Sequence, residues 1–282
     1  MTLDSLSRWL RCPICFADLS PSAALSLACL HGHSYDVAKR GYVTLLPPRT
    51  KVHGDSAEML DARQGFLDAG HYAPLEAALD GVLPRSENER ILDAGCGTGH
   101  YLRRLLGTRP TANALAADLS PSAVARAVRS PGVRVDGLVA DLWAPLPLRD
   151  AAATILLNVF APRNPPEFAR VLERNGVLLV VAPAPDHLTE LRSRGLVLGM
   201  QDDKIAKIQA SLVDLFSLEE ERVVRFPMHL DRSAVGALVG MGPSAYHRTD
   251  ASSAAADDPP GDASTESPPV TAAMRVLLYR RR

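Results

Sequence analysis

The stretch "RILDAGCGTGHYLRRLL", residues 90 to 106, constrains the fold of this chain more than any other. An apolar run (Ile91, Leu92) ends in an acid, Asp93. Gly95, Gly97 and Gly99 follow at alternate positions, and then a run with apolar residues at helical spacing. Glycine adopts backbone conformations that other residues avoid and lets a ligand approach the chain closely. A helix N-terminus just beyond offers free amide groups to a polar ligand. A strand, a ligand loop and a helix are therefore expected in that order. The spacing is neither the G-x-G-x-x-G dinucleotide fingerprint nor a P-loop, since no Lys-Ser/Thr follows. Cys96 reads as a small loop residue without redox or metal role, and His100, opening the helix, as either a surface residue or a ligand contact.

The alternation continues. "ANALAADLS" is a strand ending at Asp118, placed to accept ribose hydroxyls as its counterpart does in dinucleotide folds. "VRVDGLVADL" ends at Asp141, "AATILLNVFAP" near Asn158, and "VLLVVAPAPDHL" leads to His187. Helices are expected after Pro121, over "PPEFARVLERNG" up to Gly176, and at about 204–215 and 233–239, with strands near 222–226 and at "MRVLLYRRR". Apolar strands alternating with helices predict an α/β fold with a buried, mostly parallel sheet and an antiparallel terminal pair at its edge. Ligands bind outside the strand C-termini of such sheets. The pattern resembles the class I S-adenosylmethionine-dependent methyltransferases, whose motif I the glycine loop matches. That resemblance implies a Rossmann-like, seven-stranded sheet. It also implies S-adenosyl-L-methionine held by Gly95, Gly97, Thr98, Gly99 and His100 at its amino-acid end, with Asp118 at the ribose and Asp141 at the adenine edge. "NPPEF" at 164–168 lacks the fourth-place aromatic of amino-methylating enzymes and reads as a proline-started helix.

Three of the four cysteines lie near the N-terminus in "RCPICFADLSPSAALSLACLHGH". Cys12-x2-Cys15 followed by Cys29-x3-His33 can close a tetrahedral zinc site. Cys29-x-His31 would be a tighter bite, and a redox Cys-x2-Cys is the alternative reading. Four protein ligands leave no open position, so one zinc ion would be structural. Residues 1–54 carry six Lys/Arg against three acids, with Tyr35 and Tyr42 interleaved. Such a surface suits a phosphate backbone and stacked bases; equally, the tyrosines could form a mini-core.

At 282 residues the chain fits one large domain, or one large plus one small. The expected division is a zinc-binding RNA-recognition domain at 1–54, a linker helix at 55–89 and the methyltransferase domain at 90–282. The stretch at about 249–270 is acidic, rich in Ser, Ala and Pro, and expected to be disordered. A net charge of -1 argues against a generally basic, nucleic-acid-coating protein. No signal peptide or apolar run near the roughly 20 residues of a membrane span is present, so a cytoplasmic protein without membrane contact is expected.

The Cys/His cluster, "YDVAKRGYVTLLP", "GDSAEMLDAR", "FLDAGHY", "LDAGCGTG" and "PDHLTEL" occur in this order. Together they resemble the 23S rRNA guanine-N1 methyltransferases, a family that includes macrolide-resistance enzymes of the tylosin type. The resemblance implies zinc on Cys12, Cys15, Cys29 and His33, and cofactor contacts from Tyr72, Gly97, Thr98 and His187. It implies a homodimer methylating a guanine in a tunnel-lining hairpin of 23S rRNA domain II. Loss of the N1 proton would be helped by a base. Asp55, Asp141 and Asn158 are plausible, and no catalytic residue is assigned. A metabolite methyltransferase would need no zinc module, and a non-catalytic zinc-based RNA-binding protein would need no glycine loop with its acids.

Overall fold

The computed structural model describes residues 2–46, 54–129, 134–199, 203–242 and 268–282. The expected disordered stretch lies almost wholly outside the described residues, as do Arg49, Lys51 and His53. Elements run in the order α1 (Leu3–Ser7), β1 (Ser20–Ala23), β2 (Ser26–Ala28), β3 (Ser34–Ala38), β4 (Tyr42–Thr44), α2 (Ala57–Asp68), α3 (Ala73–Val82), β5 (Arg90–Ala94), α4 (His100–Gly107), β6 (Asn113–Asp118) and α5 (Pro121–Ala127). They continue as β7 (Asp136–Val139), β8 (Ala153–Val159), α6 (Pro165–Val171), β9 (Leu172–Pro183), α7 (Thr189–Ser193), α8 (Lys204–Leu212), β10 (Phe216–Met228), α9 (Arg232–Gly240) and β11 (Val270–Arg281).

The strands line up as β1-β2-β3-β4-β7-β6-β5-β8-β9-β11-β10. From β4 to β9 the pairs are parallel, and β11 enters antiparallel between β9 and β10. The terminal antiparallel pair is thus present. The sheet has 11 strands rather than the seven expected, because an N-terminal ribbon of four strands, β1 to β4, joins its edge. β4 pairs with β7 through Tyr42↔Gly137 and Val43↔Leu138, covering an edge that β7 would otherwise expose. Gly137 permits this approach: a Cβ there would lie 2.6 Å from the Tyr42 Cβ. The ribbon also shares the core of the sheet face beneath it, where Leu6, Leu10, Leu19 and Leu27 pack in one cluster with Leu138 and Leu148. Arg149 pins it by donating to the carbonyls of Leu10 and Leu19 at 3.0 Å.

Between ribbon and sheet, the expected linker helix is two helices. Ser56 caps the first by accepting the Met59 amide, and Gly70 breaks the run at φ +80°. The helix expected up to Gly176 stops at Val171. Leu172 turns extended and pairs with Ala153, and the irregular stretch to Val177 passes through Asn175 at φ +66°. A Cβ on Gly176 would sit 2.9 Å from the Glu173 carbonyl oxygen, so this bend needs glycine. No helix among the described residues is long and apolar enough to cross a membrane.

Candidate active site and metal centre

The ribbon brings Cys12, Cys15, Cys29 and His33 together, one donor atom from each lying within 4.8 Å of all the others. Cys15 Sγ is 3.6 Å from Cys29 Sγ, and His33 Nδ1 is 3.5 and 3.3 Å from the sulfurs of Cys12 and Cys29. Metal–sulfur bonds of about 2.3 Å in a tetrahedron separate the donors by roughly 3.5–3.8 Å, so the set fits zinc. Gly32, at φ +83°, makes the second turn. Burial opposes ionisation of Cys12, but the Tyr35 hydroxyl at 3.1 Å and neighbouring amides outweigh it and bring the thiol down to about 6. A thiolate ligand is favoured there. His31 sits outside the four, with Nδ1 3.2 Å from Cys15 Sγ.

At the C-terminal end of β5 the backbone turns back on itself. Gly95 and Cys96 both donate to the Ala117 carbonyl, at 2.8 and 3.1 Å. Gly95, Gly97 and Gly99 have φ of +90°, +51° and +73°. A Cβ on Gly95 would meet the Ala161 Cβ at 2.3 Å, and one on Gly99 the Ala127 Cβ at 2.7 Å. The first and third glycines therefore serve packing. At Gly97 a Cβ would point at Arg63 Nη1, 3.0 Å away, across the cavity wall.

That cavity, about 680 Å³, opens along the strand C-termini. Its wall includes Tyr72, Gly95, Gly97, Thr98, His100, Asp118, Asp141 and His187 from the expected cofactor set, but not Gly99. Asp93 faces it with a buried carboxylate that has no hydrogen-bond or ion-pair partner among the described residues; burial and then Asp118 raise its pKa to about 7. Thr98 Oγ1 is buried and unpartnered. A ligand bearing an ammonium and polar atoms would satisfy both, and S-adenosylmethionine is such a ligand. Asp118 accepts the amides of Gly97 and Ser120, each at 2.9 Å, and burial still holds its pKa up.

Tyr72 is buried at the start of α3, its hydroxyl 3.5 Å from His187 Nε2. His187 Nδ1 accepts the Ala273 amide at 3.1 Å, and burial lowers its pKa to about 4. The ring is neutral, with its proton on Nε2. His100 differs from expectation in what it can offer. Its ring nitrogens are committed to Asp68 (3.2 Å) and Glu76 (2.7 Å) on the linker helices, so neither is free for a ligand. Asn158 is fully buried and spends its amide on the Ala94 and Pro162 carbonyls, which removes it as a candidate base. Asp55 is ion-paired with Arg63. Asp141 accepts the Trp143 amide at 2.9 Å.

Sequence reading missed Arg63, Trp143, Phe160, Arg163, Arg192 and Lys204, all on the cavity wall. Phe160 alone carried a signal, as an aromatic directly after the apolar strand at 153–159. The cations are scattered along the chain and converge only in the fold.

A family model described as RlmA, N-terminal, a zinc ribbon, matches residues 10–53, and one described as Methyltransferase domain matches residues 91–177. A 23S rRNA (guanine(748)-N(1))-methyltransferase of Streptomyces fradiae is 44% identical over 86% of this chain and 87% of its own length. A protein of Micromonospora griseorubida assigned as a 23S rRNA (guanine-N1)-methyltransferase is 44% identical over 96% of this chain and 97% of its own. Among solved structures, a methyltransferase in complex with the Haloferax volcanii Trm112 activator matches with a TM-score of 0.53. It is 16% identical, over 81% of this chain and 99% of that chain, which speaks to the fold alone.

Proposed function

The chain belongs to the 23S rRNA (guanine-N1)-methyltransferase family, and from that premise we propose that it methylates N1 of a guanine in a tunnel-lining hairpin of 23S rRNA domain II, conferring resistance to a macrolide such as tylosin. One observation carries the transfer: a glycine-walled cavity whose unpartnered carboxylate, Asp93, sits at the strand ends beside Asp118. The 44% identity to the Streptomyces fradiae enzyme supports the choice of RNA and base.

S-adenosylmethionine, when bound, supplies an electrophilic methyl group on sulfur. The residues here bind and orient. Asp93 would take the ammonium of the amino-acid end, with Thr98 donating or accepting beside it, and Asp118 would accept the ribose hydroxyls. Asp141 would meet the adenine edge. Buried Tyr72 and neutral His187 would add an uncharged stretch of wall to the cofactor site. Transfer to N1 is an in-line displacement, so positioning dominates the rate. Cys12, Cys15, Cys29 and His33 hold one structural zinc, and the exposed Lys39 and Arg40 in the turn before β4 supply phosphate contacts. The family resemblance also supports a homodimer in which two ribbons frame the RNA. Mass mapping of 23S rRNA from cells with and without the gene, alongside tylosin susceptibility, tests the reading. It requires a 1-methylguanosine in the domain II hairpin and resistance only when the gene is present.

A further inference from the structure

Beside the glycine loop, part of the cavity wall is aromatic and exposed. Trp143 is 66% exposed and Phe160 41% exposed, although both border the cavity. Phe160 closes β8 in a left-handed conformation, φ +54°, held by its amide's bond to the Val181 carbonyl at 3.1 Å. A phenylalanine in that region is strained, and such strain persists where the surroundings impose it. The surroundings do. Asn158 fixes the following loop by donating to the Pro162 carbonyl at 2.7 Å. The Asn164 side-chain amide then donates to the carbonyls of residues 142, 143 and 144, at 3.1–3.3 Å, tying the Trp143 loop to the Phe160 loop. The two loops that carry these aromatics are thereby tied together at the cavity wall.

The same wall carries Arg163, Arg192 and Lys204; none of the three forms an ion pair among the described residues, although the charge of Arg192 acts on the Glu190 carboxylate. Arg163 donates only to the Ala161 carbonyl, at 3.1 Å. Arg192 donates to the Pro185 carbonyl and Thr189 Oγ1. The Lys204 ammonium makes no ion pair or hydrogen bond among the described residues. Asp186, the acid beside His187, is taken by Arg225 at 2.6 Å. Half-buried like charges repel, and burial with Arg163 nearby already weakens the hold of Lys204 on its proton. An anion between Arg163 and Lys204 would relieve that repulsion.

We propose that this part of the cavity seats the extruded target nucleotide: Phe160 and Trp143 stack its guanine, and Arg163 and Lys204 take the charge of its phosphates. The proposal rests on the RNA-methyltransferase reading above and adds a subsite to it. A guanine N1 within a base pair is out of reach, so the base must leave the stack, and aromatic faces with flanking cations are what an unstacked nucleotide binds.

The test uses the zinc-loaded full chain and an unmodified 23S rRNA transcript, with kcat, KM, S-adenosylmethionine affinity and salt dependence measured for each variant. Phe160→Leu and Trp143→Leu should each lower kcat/KM about tenfold or more, whereas Phe160→Tyr, which keeps the aromatic face, should stay within about threefold of wild type. Arg163→Gln and Lys204→Gln should raise KM and flatten the salt slope of RNA binding by nearly one unit each. All five should bind S-adenosylmethionine as the wild type does, which also shows that they fold. Full activity in Phe160→Leu would overturn the seat. So would Arg163→Gln or Lys204→Gln weakening S-adenosylmethionine rather than RNA, since the cations would then serve the cofactor. A wild-type protein that leaves the transcript unmethylated would overturn the parent reading and the seat together, and is distinguishable because the comparison fails before any variant is made.

Discussion

Asp93→Asn should make the protein more stable above pH 7 while making it a poorer binder of S-adenosylmethionine. Asp93 ends β5 with 3% of its surface exposed and no partner for its carboxylate. Burial, then Asp118, moves its pKa from an ordinary 3.8 to about 7. Such a displacement corresponds to about 4 kcal/mol. Between those values the folded protein holds a proton that the unfolded chain has released, so the native state binds more protons and stability falls as pH rises. The stability is present in full below about pH 4 and is lost by pH 7. Asparagine cannot ionise, so the variant escapes that loss; its unpaired amide costs a pH-independent 1–3 kcal/mol or so. The stability of Asp93→Asn minus that of wild type should therefore climb by about 3 kcal/mol from pH 4.5 to 7.5. Urea unfolding at each pH with zinc in excess reads this difference, and other titrating groups largely cancel in it. Calorimetry should show cofactor affinity rising towards pH 7 in the wild type, as the carboxylate that takes the ammonium forms, and a weak, flat profile in the variant. Parallel stability curves would refute the burial argument, and unchanged cofactor affinity in Asp93→Asn would refute the role assigned to this acid.

Gly95→Ala forces a Cβ to within 2.3 Å of the Ala161 Cβ at φ +90°, whereas Gly70→Ala, at φ +80°, meets nothing within 4 Å. The second should cost only the conformational term of about 1–2 kcal/mol and the first a further 1–3 or so for overpacking; equal losses in urea unfolding would contradict the packing reading. Cys12→Ser should abolish stoichiometric zinc, measured by elemental analysis, and strip hydrogen-exchange protection from β1 to β3 while β5 and β6 keep theirs; a variant that retains one tightly bound zinc would show that Cys12 is no ligand. Lys39→Ala with Arg40→Ala should weaken RNA binding and reduce its salt slope by nearly two units without touching cofactor affinity, and an unaltered slope would show that this turn meets no phosphate.

Features set by local chemistry were legible in the sequence. The glycine loop announces itself because backbone conformations at 95, 97 and 99 exclude side chains, and the acids at 93 and 118 follow directly from strand ends. The zinc ligands are legible because the metal fixes both residue type and spacing. What escaped depends on tertiary contact. A three-residue strand, Tyr42–Thr44, joins β7 only because Gly137 leaves room for Tyr42, and nothing around residue 42 shows this. Helical spacing from 165 onwards gave no warning that Leu172 would pair with Ala153 and end the helix at Val171. Asn158 sits at a strand end like a functional residue, yet it turns inward to hold the loop that carries Phe160. His100 opens its helix at the cavity, yet its ring faces Asp68 and Glu76 on the linker helices.

The most direct test is methyl transfer in vitro from labelled S-adenosylmethionine to an unmodified 23S rRNA transcript, followed by digestion to nucleosides and mass analysis. The account predicts one methyl per transcript, recovered as 1-methylguanosine from the domain II hairpin and dependent on intact zinc ligands. Label recovered at another atom of guanine or on another base, or no transfer by zinc-loaded protein that binds the cofactor, would contradict it.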